Sequence, residues 1–253
     1  MKNIINKDKI ITIGILPIMW LIYFLFEVFS GRVNDLYTLI LNLSLIFLFA
    51  FVGWIIYMCS IKNIYGVNTK ILIIIFFILM LLDQGLKLII KINFFHSYLE
   101  IIPEFLYFNP IINTQGSWLN ARFNFNIGFS LLIIINGIAL ILFLELYRYL
   151  KYKNIKNFWT DLCFIFIFSG ALCSLIDKIF YGGSLDFIGI SNLFIADIKD
   201  IYINLGILFF IISIVISGYL TEDDNTSFKE DLASIKKFLI FSKNDILSLF
   251  KNN

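Results

Sequence analysis

Asp186 and Asp197 stand eleven positions apart in a run, residues 169–197, that reads SGALCSLIDKIFYGGSLDFIGISNLFIAD, with Asp177 a little before them. The run sits among apolar stretches, and an ionised carboxylate in hydrocarbon is costly enough to mark function more often than filler. Two carboxylates brought close together cannot both ionise, so one keeps its proton and the other acts as a base. Such a dyad can activate water against an amide carbonyl and then protonate the leaving amine. Its titration belongs to the pair and not to either residue alone. Asp197 stands near the start of an apolar helix, whose dipole favours the ionised form. The chain has one histidine, His96, which removes most histidine metal sites and Ser-His triads from contention. No metal-ligand spacing accompanies the acids, so neither a metal nor another cofactor is expected.

The elements that must position these acids are membrane spans. Hydrophobic residues make up 60% of the 253-residue chain and charged residues 15%, a surface too greasy for water. A bilayer crossing needs about 20 mainly apolar residues, and six stretches reach that length. They run roughly 10–29, 36–60, 71–91, 126–147, 158–181 and 194–220. The first is long for a cleaved signal peptide and ends without a small-residue cleavage site, at Glu27 to Arg32. One set of alternate loops carries Lys2, Lys7, Lys9, Lys62, Lys70, Arg148, Lys151, Lys153, Lys156 and the C-terminal lysines; the other carries Arg32, Lys91, Arg122 and Lys199. That bias predicts both termini in the cytoplasm.

On this topology Asp83 and Lys87 lie in the outer half of the third span, and Asp177 and Lys178 at the outer end of the fifth. Asp186 falls in the outer connection, and Asp197 opens the sixth span. Four carboxylates from separated parts of the chain thus share one depth, which predicts a site facing the extracytoplasmic side. Cys59, Cys163 and Cys173 read as buried thiols without a disulfide framework. The net charge of +2 gives no reason to expect nucleic acid.

Several segments, taken in order, resemble bacterial lipoprotein signal peptidase (signal peptidase II). Asp83, Gln84 and Lys87 match a D-Q-x-x-K segment, and residues 112–118 (INTQGSW) are similar to R-N-T-G-A-A-F. Gly170 to Lys178 look like G-A-L-G-N-x-x-D-R, residues 184–187 (SLDF) like V-V-D-F, and residues 193–197 (LFIAD) like F-N-x-A-D. Five motifs in order carry more weight than any one. The resemblance implies an integral-membrane aspartic endopeptidase that cuts prolipoproteins just before the lipid-modified cysteine, with Asp186 and Asp197 as the dyad. It puts Asn113 in the substrate-contacting outer segment and makes Asp83 and Lys87, paired at i,i+4, supporting residues. Ser174, Asp177 and Lys178 occupy further motif positions. The partners implied are lipid-modified prolipoproteins and membrane lipids, the location the bacterial cell membrane, and the working unit a monomer.

The chain departs from the motifs at Ser174 and Phe194, where the family has asparagine, at Lys178 for arginine and at Gln115 for glycine. These departures keep a second reading open, a catalytically weakened relative that binds lipidated peptides. A proton-coupled transport component is a third, since intramembrane carboxylates also mark such pathways. Taken without the motifs, Asp177 and Lys178 read as an interfacial structural pair, and His96 as interfacial beside Phe94, Phe95 and Tyr98.

The fold class expected is all-α integral membrane, with six transmembrane helices and a small extracytoplasmic β or interfacial element within residues 92–125. Residues 67–220 form the four-helix core, 1–66 an N-terminal extension of two spans, and 221–253 a cytoplasmic tail. That tail begins with acids, carries a capping-box pattern at Ser227 and Glu230, and reads as an inner-leaflet helix or as disordered.

Overall fold

A computed structural model describes residues 2–114, 128–216 and 228–251. Among the described residues there are seven long helices: α1 (Lys2–Phe29), α2 (Leu36–Lys62), α3 (Thr69–Ile89), α4 (Phe129–Tyr152), α5 (Phe158–Phe180), α6 (Ile198–Ile216) and α7 (Phe228–Lys251). A π-helical turn, Ile90–Phe94, extends α3. The first six helices are long and apolar enough to cross a membrane. Local chemistry marks where several of them start. Asp35 caps α2 by accepting from the Thr38 amide at 2.6 Å, and Asn157 with Thr160 forms a reciprocal capping box on α5.

Large apolar side chains such as Phe47, Phe77 and Leu81 point outward, whereas Asp83, Lys87, Asp161, Asp177 and Asp197 are buried. Lipid accepts the first set and excludes the second, so the polar groups gather where helices can satisfy them. Leu16, Leu72, Trp159, Ile165, Leu208 and Phe209 tie α1, α3, α5 and α6 into one core. Helix axes come close at glycines. A Cβ added at Gly206 of α6 would lie 2.3 Å from the Ile167 side chain of α5, and one at Gly53 of α2 would lie 2.8 Å from the Thr12 carbonyl of α1.

Four short strands, β1 (Leu99–Ile102), β2 (Leu106–Asn113), β3 (Ser184–Ile190) and β4 (Phe194–Ala196), form one antiparallel sheet in chain order. β2 lines up with β3 so that Asn113 faces Ser184 and Ile111 faces Asp186. The register shifts between Phe108 and Ile111, at Pro110, which has no N–H to give the ladder.

In the described part of residues 92–125 the expected small element is strand, but half of its sheet comes from the α5–α6 connection. The sixth span opens later than its hydropathy suggested. Residues 194–196 pair with 188–190, so the helix begins at Ile198. The fourth span likewise runs to Tyr152, beyond the expected end. The C-terminal segment is a helix against α4, with the Tyr149 ring 5.2 Å from that of Phe241 and Arg148 Nε 2.5 Å from Asp245 Oδ2. Ser227 of the expected capping box and Gln115 lie outside the described residues.

Candidate active site

Three helices and one strand converge on a buried cluster of charge. α3 contributes Asp83 and Lys87, one turn apart, with Nζ 2.9 Å from Asp83 Oδ2. Lys87 Nζ also lies 2.6 Å from Asp177 Oδ2 of α5 and 2.6 Å from Asp197 Oδ2 at the start of α6. Gln84 donates to both Asp83 and Asp177, at 2.9 Å each, and the Lys199 amide donates to Asp83 Oδ1 at 3.0 Å. Lys87 thus ties together the three helices.

β3 brings the second half. Asn113 at the end of β2 donates to Asp186 Oδ2 at 2.9 Å, the two being diagonal neighbours on one face of the β2–β3 ladder. Ser184 lies two residues before Asp186 on the same face of the strand. Its Oγ is 2.5 Å from Asp186 Oδ1 and 3.1 Å from Asp197 Oδ2. With a single proton it donates to one carboxylate at a time, and the shorter distance favours Asp186. The Asp197 carboxylate accepts from the Asp200 amide at 3.2 Å while Asp200 accepts from the Asp197 amide at 3.2 Å, so Asp197 caps α6. A carboxylate oxygen from each of Asp186, Asp197 and Asp200 lies within 4.8 Å of the other two, a spacing that one water can bridge.

Lys199 changes the electrostatics expected from two bare aspartates. Its Nζ pairs closely with Asp197, lies 3.3 Å from Asp177 and 3.9 Å from Asp186, and meets the Ser184 hydroxyl. The two aspartates are therefore driven apart. Burial raises Asp186 above the usual carboxylate range despite Lys199, and the neighbouring Asp197 adds to the rise. Burial would raise Asp197 too, but Lys199 and then Lys87 outweigh it and hold this carboxyl below that range. Burial thus favours the neutral form of Asp186, and the two ammonium groups favour the ionised form of Asp197. Asp186, Asp197 and Asp200 also have a geometry that suits a cation, and the Lys199 ammonium supplies positive charge there.

Of the residues singled out from sequence, Asp83, Lys87, Asn113, Asp177, Asp186 and Asp197 come together. The expected pairing of Asp177 with Lys178 does not form. Consecutive residues on a helix point to different faces, so Asp177 enters the cluster while Lys178 Nζ turns to Ser174 Oγ at 2.5 Å. Sequence reasoning gave no site role to Lys199, Ser184, Asp200 or Gln84, although Ser184 and Gln84 stand within the matched motifs. A signal for Lys199 was present: a lysine in the first turn of an apolar helix opposes the dipole and needs carboxylates beside it.

Six apolar spans, a small sheet joined to two of them and a buried carboxylate–lysine cluster at that junction define a polytopic membrane protein built around acid/base groups. Residues 75–216, more than half of the chain, match the signal peptidase (SPase) II family, and the chain belongs to it. It is 30% identical over 146 residues to a lipoprotein signal peptidase of Staphylococcus haemolyticus, covering 54% of this chain and 85% of the relative. A Staphylococcus aureus lipoprotein signal peptidase is 30% identical over 159 residues, covering 60% and 90%. One from Microcystis aeruginosa is 28% identical over 138 residues, covering 53% and 84%. A bacterial membrane enzyme solved by the in meso method at 2.3 Å resolution shares the fold, with a TM-score of 0.51 at 22% identity over 65% of this chain and 99% of that one. Family and spans together make this a multi-pass bacterial membrane protein of a protease family.

Proposed function

We propose that the protein cleaves signal peptides from lipid-modified prolipoproteins, using Asp186 and Asp197 to activate water. The observation that carries this reading is the pair's short separation combined with its opposed electrostatics. Asp197, ionised, takes a proton from a water held between the two carboxyls. The water oxygen bonds to the scissile carbonyl carbon, the C–N bond then breaks, and Asp186 gives its proton to the leaving amine. Asn113 and Ser184 fix the two oxygens of Asp186, and Lys87 and Lys199 hold the charge on Asp197. Asp83, Asp177 and Gln84 keep Lys87 in place; Ser174 and Lys178 form a separate pair on α5.

In this reading residues 67–220 are the peptidase core, 1–66 an added helical hairpin and 221–253 a cytoplasmic tail. Both termini face the cytoplasm and the site faces outward, consistent with the lysine bias of the loops. One chain supplies every group of the cluster, so a monomer suffices. Asp177 and Asp197 lie at helix ends and Asp186 on a strand, away from the mid-membrane helix breaks a transport pathway would use.

The test is cleavage of a diacylglyceryl-modified prolipoprotein in detergent, followed as a mass shift. Asp186→Asn and Asp197→Asn should each lower the rate by at least about 10²-fold while leaving the protein folded. Variants that cut at the wild-type rate would remove the dyad. A wild-type protein that binds this substrate without cutting it would favour the binding-only reading suggested by Phe194 and Ser174.

A further inference from the structure

The α1–α2 hairpin lies outside the stretch that matches the family, yet it grips the hairpin that carries both aspartates. Arg32, in the turn between α1 and α2, donates from Nη2 to the Asn192 carbonyl at 2.7 Å and the Leu193 carbonyl at 2.5 Å. Those two carbonyls form the tip of the β3–β4 hairpin. Nη1 of the same guanidinium pairs with Glu27 Oε2 at 3.1 Å, and Glu27 is fully buried. Asn42 of α2, also fully buried, donates to Ser191 Oγ at 3.4 Å. The Tyr23 ring of α1 meets Phe194 edge-on, with centroids 5.6 Å apart. Residues 191 to 194 are thus each met by α1, α2 or the turn between them. Ser191 holds a left-handed φ of 46°, which an L-residue keeps only where its surroundings enforce it.

The ten residues between Asp186 and Asp197 are two short strand legs and this tip. Backbone shifts at the tip pass directly into the legs, and so into the distance between the carboxyls. We propose that the α1–α2 hairpin is a clasp on β3–β4, with Arg32 as a positioning residue that sets the separation of Asp186 and Asp197. The proposal rests on the peptidase reading above. It also accounts for Phe194, whose ring has a partner in α1 where the family motif carries an asparagine. The Arg32 partners are Glu27 and the hairpin tip, not the carboxyls of the cluster, so its loss acts on turnover more than on substrate binding.

The test uses full-length Arg32→Gln and Arg32→Lys in detergent, with cleavage kinetics and amide hydrogen exchange read by mass spectrometry on the same samples. Arg32→Gln should raise exchange over residues 188–196 and lower kcat by at least about tenfold with KM within about twofold, as a small misplacement of catalytic groups does. Arg32→Lys should recover only part of the loss, because an ammonium keeps the charge but lacks the planar fork that joins Glu27 to the two carbonyls. Wild-type kcat in Arg32→Gln, or unchanged exchange, overturns the clasp. If Arg32→Gln does not fold, Glu27→Gln takes its place, since it frees the guanidinium while preserving shape, and the same two outcomes decide. A wild-type protein that never cleaves sinks the peptidase reading, and the exchange arm then judges the clasp by itself.

Discussion

Replacing Lys87 by methionine keeps most of the side chain's length and removes one buried ammonium. Three carboxylates lose a partner at 2.6–2.9 Å: Asp83, Asp177 and Asp197. Lys199 still serves Asp177 and Asp197, whereas Asp83 keeps neutral donors such as Gln84 and the Lys199 amide described above. Breaking a buried ion pair from one side costs roughly 3–5 kcal/mol, because a charge is left without compensation. For a chain of this size each kcal/mol moves the unfolding midpoint by roughly 2–4 °C, so the variant should melt roughly 6–20 °C lower. The assay is thermal unfolding in detergent followed by tryptophan fluorescence. The second arm is Lys87→Met with Asp83→Asn, which removes the acid most exposed by the first change. If the pair is the source of the loss, the double variant should regain at least about half of it. A single variant melting within about 2 °C of wild type refutes the reasoning, as does a double variant as unstable as the two singles summed.

Activity against pH should be bell-shaped. Asp197, held low by Lys199 and Lys87, must be ionised, so activity falls as pH drops through its lowered value. Asp186, raised by burial, must keep its proton, so activity also falls as pH climbs past a point above the usual carboxylate range. Lys199→Met should move the acid limb to higher pH, because Asp197 loses its closest ammonium; an unmoved limb in initial-rate profiles would count against the assignment. Stability follows the same signs. The contribution of Asp197 is present above the unfolded carboxylate value and lost as pH falls through the folded one, while that of Asp186 is present below the unfolded value and lost as pH rises through the folded one. Asn113→Ala removes one hydrogen bond to the Asp186 carboxyl, worth about 1.5 kcal/mol, so kcat should fall by roughly tenfold, and an unchanged kcat would remove Asn113 from the site.

The sequence was enough for the six spans, because an apolar run of membrane length has few other stable fates. It also determined the pairing of Asp83 with Lys87, which needs only helical spacing, and the family, through motifs that stand in order. The β3–β4 hairpin was not legible. Residues 184–196 are as apolar as the start of a span; β3 is a strand because it pairs with β2, more than 70 residues earlier, and β4 because it pairs with β3. Lys199 counted as a loop charge until the bundle placed it among carboxylates from α5, β3 and the residue that opens α6. Arg32 was equally opaque, since its partners lie 160 and 161 residues downstream. Local pattern decides which segments enter the membrane. Which charges meet depends on how helices approach at Gly53 and Gly206 and on the register of a four-stranded sheet, and both are properties of the packed chain.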